Sequence, residues 1–165
     1  MKSLMLLSTV LLIGLSACAQ PDHKKSPHDT VSTKEIKVTY GRPYKKGREI
    51  FGGLQKYGQV WRCGADEATE ITFAKDATFG GKPVKAGSYT LFVIPNEKEW
   101  TIILNGDPHF WGTQYEDHKA KDVLHVNVPV KSLSSVVEQL TIRFKGSEMI
   151  IEWDKTQVAI PVSFK

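Results

Sequence analysis

The sequence predicts an all-β protein, more specifically an antiparallel β-sandwich of about nine short strands. From Thr30 onwards, apolar residues recur at every second position, which is the period of a half-buried strand. Turn-forming residues separate these segments, and no segment has a convincing amphipathic helical pattern. The length of 165 residues, 41% of them hydrophobic, suits a single domain. A closed β-barrel is the alternative architecture.

The strands in the first two thirds of the chain follow from this period. The stretch "EIKVTY" places Ile36, Val38 and Tyr40 on one face, and "EITFAK" alternates in the same way. The stretch "GSYTLFVIP" is apolar on both faces, as expected of a central strand. It turns through "NEKE" into "WTIIL", which predicts a hairpin. Gly80-Gly81 lies between strands and predicts a turn.

The last third predicts further antiparallel strands. In "DVLHVNVPV" the apolar residues alternate with His125 and Asn127. The segments "EQLTIRF", "MIIEWD" and "VAIPVSF" are separated by "KGSE" and "KTQ", which predicts a three-stranded meander. The best helix candidate in the chain is "SLSSVVEQL", with one or two turns.

The N-terminus carries an export signal. Lys2 precedes an apolar run of about fifteen residues, which is too short to span a bilayer and is typical of a secretory signal. The run ends in "LSAC", which resembles the bacterial lipobox, so we expect cleavage before Cys18 and lipidation of that cysteine. An ordinary secretory signal cleaved near Ala19 is the alternative.

These features predict three parts of the chain. Residues 1–17 are a lipoprotein signal peptide, residues 18–29 a lipidated cysteine with a polar tether, and residues 30–165 a single β-sandwich domain. We therefore expect an exported protein held in the bacterial cell envelope by the lipid at Cys18, at the outer membrane. The oligomeric state is left open.

The charge balance is mildly basic. Of the 22 basic residues only Lys2 belongs to the signal peptide, so 21 basic and 18 acidic residues remain after cleavage. A net charge of this size does not indicate nucleic-acid binding. With Cys18 assigned to the lipid, Cys63 is the remaining cysteine, and no intrachain disulfide is expected.

A basic, aromatic-rich stretch interrupts the strand pattern after Tyr40. "GRPYKKGREIFGG" holds four basic residues within seven positions, offset by Glu49 alone. Arginine binds carboxylate, phosphate or sulfate through two hydrogen bonds, and the neighbouring Tyr57 and Trp61 suit glycans and anions alike. The stretch predicts either an anion-binding site or a solvated basic loop.

The following stretch, "WRCGADE", carries the residues most suggestive of chemistry. Arg62 and Glu67 predict either an ion pair that fixes the loop or half of a polar ligand site. Cys63, next to an arginine, is either a nucleophile or a small semi-buried side chain. Asp66 and Glu67 are adjacent and point to opposite faces of an extended chain, which disfavours a glycosidase mechanism that uses two carboxylates.

Other chemistry has little support. "GDPHFWGTQYEDHK" offers carboxylate and imidazole donors, but their spacing matches no metal-ligand pattern, so we predict neither a metal site nor a cofactor. Phe110 and Trp111 are expected to cap the core or to wall a groove. The common sequence motifs of hydrolases and nucleotide-binding enzymes are also missing from the chain.

Several motifs together resemble the family described as domain of unknown function 2911, whose members are small exported bacterial proteins with a β-rich fold. The motifs are "VTYGRPYKKGREIFGGL", "YGQVWRCGADEATEITF", "AGSYTLFVIP", "WTIILN" and "WGTQYEDHKAKDVLHV". In the family pattern, Thr often stands at position 63 and Asn at position 66, so the resemblance implies that neither a thiol nor an acid is required there. It implies no reaction. The matching positions are Arg42, Gly47, Arg48, Gly52, Gly53, Trp61, Arg62, Gly64 and Glu67.

The sequence thus favours a binding module over an enzyme and leaves catalysis open. The first hypothesis is a lipid-anchored envelope protein with a groove for a polar or anionic ligand, such as a glycan, a peptidoglycan fragment or a small anion. The alternatives are an envelope hydrolase acting on glycan or cell-wall material, and a structural envelope protein without a ligand. The expected ligand-binding residues are Arg42, Arg48, Arg62 and Glu67 for directional contacts, and Trp61 and Trp111 for stacking.

Overall fold

The computed structural model describes residues 26–164, which fold into nine antiparallel strands. The predicted signal peptide, Cys18 and most of the tether lie outside the described residues. The strands are β1 His28–Ser32, β2 Ile36–Gly41, β3 Thr69–Phe73, β4 Ala77–Phe79, β5 Lys82–Val84, β6 Gly87–Ile94, β7 Glu99–Asn105, β8 Asp122–Lys145 and β9 Glu148–Phe164. A single helical turn, α1 (Tyr115–His118), continues into a 3-10 turn at Lys119–Lys121.

The strands form one continuous sheet in the order β1-β2-β3-β6-β7-β8-β9-β4-β5. Because β1 and β5 are edges, the sheet is not closed, and the architecture is sandwich-like rather than a barrel. The two halves face each other across one core. Phe73 of β3 packs edge-on against Phe79 of β4 at 5.6 Å, and the backbone N–H of Ile142 in β8 donates to the Tyr40 hydroxyl of β2 at 3.0 Å.

Two long, bent strands carry the chain from one half of the sheet to the other. The 24-residue β8 pairs with β7 through its first part and with β9 through its second, and the register shifts between Ser132 and Val137 and again before Thr141. Such bulges bend a strand and increase its twist. In β9 the bend falls at Asp154, whose φ is +54°.

These long strands correct two sequence predictions. The helix candidate "SLSSVVEQL" is the bulged middle of β8, and the predicted turn "KTQ" lies within β9 rather than between two strands. The polar residues that suggested turns instead mark bends within continuous strands. The hairpin of β6 and β7 and the turn at Gly80-Gly81 are confirmed. Both of these glycines have positive φ, which a tight two-residue hairpin requires.

The main core is a single apolar cluster with contributions from most of the strands. A second, smaller cluster lies on the other face of the sheet, where Phe110 and Tyr115 cover Phe92 of β6 and Ile103 of β7. This outer cover explains why "GSYTLFVIP" is apolar on both faces. Within residues 26–164, no helix has the length and apolar character needed to cross a membrane.

Strand β1 begins at His28, two residues before the predicted start of the domain at Thr30. Its half-buried alternation was not recognised in the sequence. Its pairing with β2 places His28 opposite Gly41. The chain therefore enters the fold at the same end of the sheet at which β2 ends.

A bidentate ion pair on β8 and β9 predicts acid-dependent stability. Arg143 donates through Nε and Nη2 to the two carboxylate oxygens of Glu152, at 2.9 and 3.1 Å. These hydrogen bonds lower the pKa of Glu152. The stabilisation is therefore complete above the ordinary glutamate pKa of about 4.3 and is lost as the pH falls through the lowered value.

We expect Arg143→Ala to lower the free energy of unfolding by about 1–2 kcal/mol at neutral pH, because Glu152 loses its charged partner. The loss is no larger because the Arg143 side chain is partly exposed in the wild type, where solvent weakens the ion pair. The loss should shrink as the pH falls from about 5 to about 2, where Glu152 is protonated. Urea titrations at several pH values would measure it, with the exposed Lys145→Ala as control. A loss that is independent of pH would contradict this role.

Candidate functional site

A long irregular segment, residues 42–68, connects β2 to β3 and closes one end of the sandwich. Aromatic side chains anchor it in the core. Phe51 lies 4.7 Å from Trp100 of β7, and Trp61 stacks on Trp153 of β9 at 6.0 Å. Trp61 also pairs through its backbone with Val93 of β6. The segment is therefore held against both halves of the sheet.

This packing determines whether the two predicted stacking residues, Trp61 and Trp111, can contact a ligand. Trp61 is 5% exposed, and its ring faces other aromatic rings, so it offers no free face to a ligand. Trp111 is 39% exposed, and its backbone pairs with Glu67. A shared stacking surface of Trp61 and Trp111 is thus ruled out by the burial of Trp61.

Arg42 and Arg48 are engaged within the fold. Arg42 donates through Nε to the Leu140 carbonyl and through Nη2 to the Thr141 hydroxyl, both at 3.0 Å, and lies 3.4 Å from an Asp29 carboxylate oxygen. The Arg48 guanidinium binds carbonyl groups of its own loop, those of residues 44 and 45. These arginines join strands and stabilise a turn, and neither lies beside Arg62 in a common cavity.

The turn after Arg62 has a strained backbone. Cys63 and Asp66 have φ values of +52° and +67°, in the left-handed region that side chains other than Asn, Asp and Gly rarely adopt. Hydrogen bonds fix the turn: the Trp61 indole donates to the Gly64 carbonyl, and the Thr69 hydroxyl donates to the Cys63 carbonyl. These contacts fix the backbone on both sides of Arg62.

Glu67 does not pair with Arg62. Among the described residues, its carboxylate lies 3.3 Å from Nε2 of His28 at the start of β1, which also lies 3.7 Å from Asp66. Of the two alternatives for Arg62 and Glu67, the ion pair is therefore not the one formed among the described residues. The two acidic residues instead connect the turn to the point at which the chain enters the sheet.

Arg62 lines a cavity with a volume of about 560 Å³. Its side chain is partly buried, and among residues 26–164 its guanidinium forms neither a hydrogen bond nor an ion pair. Burial lowers the pKa of Arg62, an effect that the charge of Asp66 opposes. Gly112 leaves room for this side chain, because a β-carbon at position 112 would lie 2.2 Å from Arg62 Cδ.

The rest of the cavity lining is polar, and sequence reasoning missed most of it. Charges of both signs lie on the wall formed by α1, where Lys119 and Glu116 are 3.5 Å apart. Amide and hydroxyl groups complete the lining. The polar residues involved, besides Arg62, are Gln55, Gln59, Thr113, Tyr115, Glu116 and Lys119. They come from two segments that are distant in sequence, residues 55–62 and 113–119, so no local spacing could have indicated them.

A buried polar network supports the α1 wall. The Tyr115 hydroxyl donates to Asp122 at 2.6 Å, and the fully buried Asn105 donates to Asp122 and to the His118 carbonyl, both at 2.8 Å. Burial, reinforced by Asp122, raises the pKa of Tyr115, which keeps its hydroxyl protonated. His118 is fixed by Asp107 at 2.7 Å. The wall is therefore positioned by satisfied hydrogen bonds.

The acidic and histidine side chains of "GDPHFWGTQYEDHK" separate into different pairs. His118 binds Asp107, whereas His109 binds Glu70 of β3 at 2.6 Å. In the part of the chain that the structure describes, no three such side chains come together in a way that could hold a metal ion.

Comparison with protein-family models assigns the chain to a family. Residues 22–162 match the family described as "Protein of unknown function (DUF2911)". The chain belongs to the DUF2911 family. Neither the curated proteins nor the solved structures that were compared contain a match to it.

Within this DUF2911 fold, the residues that resemble the family pattern have different tasks. Arg42 and Trp61 hold the 42–68 segment to the sheet, whereas Arg62 lines the cavity and has no hydrogen bond or ion pair with the other described residues. Asp66 has a left-handed conformation, which aspartate tolerates better than most residues, and its carboxylate accepts a hydrogen bond from the backbone N–H of Ser26 at 3.1 Å.

The burial of Cys63 predicts an unreactive thiol. The side chain is fully buried, which raises the pKa of the thiol and suppresses the nucleophilic thiolate. We expect a maleimide reagent to modify Cys63 in native protein only as fast as the protein opens, and rapidly in denaturant. Mass spectrometry of the peptide that contains Cys63 would measure this. Modification as fast as that of an exposed cysteine introduced by Ser147→Cys would contradict it.

Proposed function

We propose that this DUF2911 protein is a lipid-anchored envelope protein that binds a small polar ligand with an anionic group, of glycan or cell-wall type. The ligand site is the cavity at Arg62. The observation that carries the proposal is the Arg62 guanidinium, which is partly withdrawn from water and has no hydrogen-bond or ion-pair partner among residues 26–164.

The energetics of Arg62 favour an anion in the cavity. Partial desolvation of a guanidinium costs free energy unless charged or polar acceptors replace the lost water. Residues 26–164 supply Arg62 with no such acceptor, in contrast to Arg42 and Arg143. A carboxylate or phosphate oxygen that enters the cavity would supply them, with two parallel hydrogen bonds where the geometry allows.

The other lining groups narrow the ligand class. Two basic residues and one acidic residue, Arg62, Lys119 and Glu116, give the lining a small positive charge rather than the strong field that a polyanion requires. Gln55 and Gln59 can each donate and accept hydrogen bonds, which suits hydroxyl and amide groups. The volume of about 560 Å³ is typical of sites for small ligands. A sugar or short peptide unit with one carboxylate meets these conditions.

The chemistry of the site supports binding rather than hydrolysis. The Cys63 thiol is buried, and Tyr115 is kept as a neutral hydrogen-bond donor by its raised pKa. Neither behaves as the nucleophile or the general base that a hydrolase needs.

The cellular location is part of the same proposal. The signal-like N-terminus and "LSAC" support export and lipidation of Cys18. An anchor at the outer membrane would place the domain next to peptidoglycan and envelope glycans, which provide ligands of the proposed class. A labelled fatty acid, fed to cells and traced to Cys18, tests the anchor independently of the ligand site.

The ligand site is tested by Arg62→Gln, with Arg48→Gln as the matched control, because the Arg48 guanidinium binds carbonyl groups of its own loop and does not line the cavity. Purified protein would be screened by thermal shift and calorimetry against peptidoglycan fragments, acidic and neutral oligosaccharides and inorganic phosphate. We expect an acidic compound to raise the melting temperature of the wild type and of the Arg48 variant. The Arg62 variant should bind it about tenfold to a hundredfold more weakly.

The stability of the free variants separates binding from a structural role. Because the Arg62 guanidinium leaves no hydrogen-bond or ion-pair partner behind among residues 26–164, Arg62→Gln should change the free energy of unfolding by only about 0.5 kcal/mol. Gly112→Ala provides a second variant, since its methyl group displaces the Arg62 side chain without removing the charge. Equal affinities in all variants, or a large loss of stability in Arg62→Gln without ligand, would refute the proposal.

A further inference from the structure

The segment that closes the end of the sandwich also presents an unusual outer surface. Residues 42–59 bury Ile50 and Phe51 in the core, yet they expose Tyr44, Leu54 and Tyr57, which are 42%, 44% and 40% accessible. Three large hydrophobic side chains on one short loop are a feature of surfaces that meet a partner or a membrane. The two buried residues fix the loop from within and leave its outer side chains available.

The same loop concentrates the positive charge of the protein. Residues 42–59 contain five basic residues and one acidic residue, a net charge of +4, which equals the net charge of the whole chain. Lys46, Arg48 and Lys56 are exposed. The loop thus combines tyrosine and leucine with lysine and arginine. Tyrosine is enriched at membrane interfaces, and basic side chains are attracted to anionic headgroups.

The loop lies where the chain leaves the fold toward the proposed anchor. The backbone N–H of Arg42, the first residue of the loop, donates to the Pro27 carbonyl at 2.6 Å. Ser26, the first described residue, follows Cys18 by eight steps along the chain. That length spans at most about 28 Å when fully extended. A lipid at Cys18 would hold this end of the domain close to the bilayer.

The opposite end of the sandwich provides control positions that should stay away from the membrane. The turn between β8 and β9, with Gly146 and Ser147 at its tip, lines a hollow together with Thr33 and Glu35, which lie in the turn between β1 and β2. The register of β1 and β2 places that turn at the far end of these strands from Arg42. Ser147 and Lys145 are exposed there, and Lys34 is exposed on the neighbouring turn.

We infer that the loop of residues 42–59 is a membrane-docking surface, which seats the domain on a bilayer that contains anionic lipid. The inference rests on the lipid anchorage of the proposed function but not on the ligand site. Leu54 and the two tyrosines enter the headgroup region, while Lys46, Arg48 and Lys56 contact phosphate groups of the lipid. We assign the bilayer as the partner of this loop because the loop is basic and because the short tether would hold it close to the membrane.

The test uses the full acylated chain in vesicles of phosphatidylcholine, with and without phosphatidylglycerol. An environment-sensitive fluorophore is attached to Leu54→Cys or, as the matched control, to Ser147→Cys; native Cys63 is buried and stays unlabelled. We expect the probe at position 54 to shift its emission to shorter wavelength and to be quenched by lipids that carry a quencher. Both effects should require phosphatidylglycerol. The probe at position 147 should remain in water.

Charge reversal provides the second arm. Lys46→Glu combined with Lys56→Glu should abolish the shift at position 54, as should high salt, which screens the attraction. The control, Lys34→Glu combined with Lys145→Glu, changes the net charge equally at the opposite end and should leave the shift intact. If both double variants lose the emission shift equally, the net charge of the protein and not the position of the lysines controls membrane contact, and the inference would be overturned.

The remaining outcomes separate the anchor from the surface. Protein that does not float with vesicles would refute the anchor and the docking orientation that depends on it. Protein that floats but has probes 54 and 147 in the same environment would overturn the docking surface alone. A probe at position 54 that is shielded in whole envelopes but not in vesicles would also overturn it and would assign the loop to a protein partner.

Discussion

The insertion of Phe51 and Trp61 between Trp100 and Trp153 is the interaction on which the rest of the molecule depends. Residues 42–68 form no regular strand between β2 and β3, and a connection of that length is ordinarily mobile. Each aromatic pair contributes about 0.5–1.5 kcal/mol beyond the area it buries. The cluster therefore converts a long loop into a fixed end of the sandwich, and that end carries both Arg62 and the exposed basic surface.

The availability of Arg62 follows from how the neighbouring cations are used. Arg42 and Arg48 give their donors to carbonyl and hydroxyl groups, and Lys45 pairs with Asp154 at the bend of β9. Arg62 precedes a turn whose acidic residues, Asp66 and Glu67, both lie within 4 Å of His28. Among residues 26–164 these acids form no ion pair with Arg62, although the charge of Asp66 still acts on its guanidinium.

Local patterns predicted much of the fold and little of the site. Alternation of period two identified β2 and β3, in which one face is more buried than the other, and continuous apolar runs bounded by turn residues identified β6 and β7, which are buried on both faces. It divided β8 and β9 into shorter strands, since a bulge or a residue such as Asp154 looks like a turn when only the sequence is read. Arg62 was identified, but Lys119 and Gln59 were not, because contacts between distant segments leave no local spacing. The burial of Trp61, which prevents it from stacking on a ligand, results from packing against distant residues and could not be predicted from the local sequence.

The two proposed surfaces share residues, and this constrains the ligand. Gln55 and Gln59 belong to the loop of residues 42–59 and also line the Arg62 cavity. A cavity beside a docked loop would open within about a Debye length, 8–10 Å, of anionic headgroups. Inorganic phosphate carries about one to two negative charges and is depleted from that layer, whereas a zwitterionic sugar–peptide unit, whose carboxylate is balanced by an ammonium group, is not. Docking and binding together therefore favour a cell-wall fragment over inorganic phosphate as the occupant of the cavity.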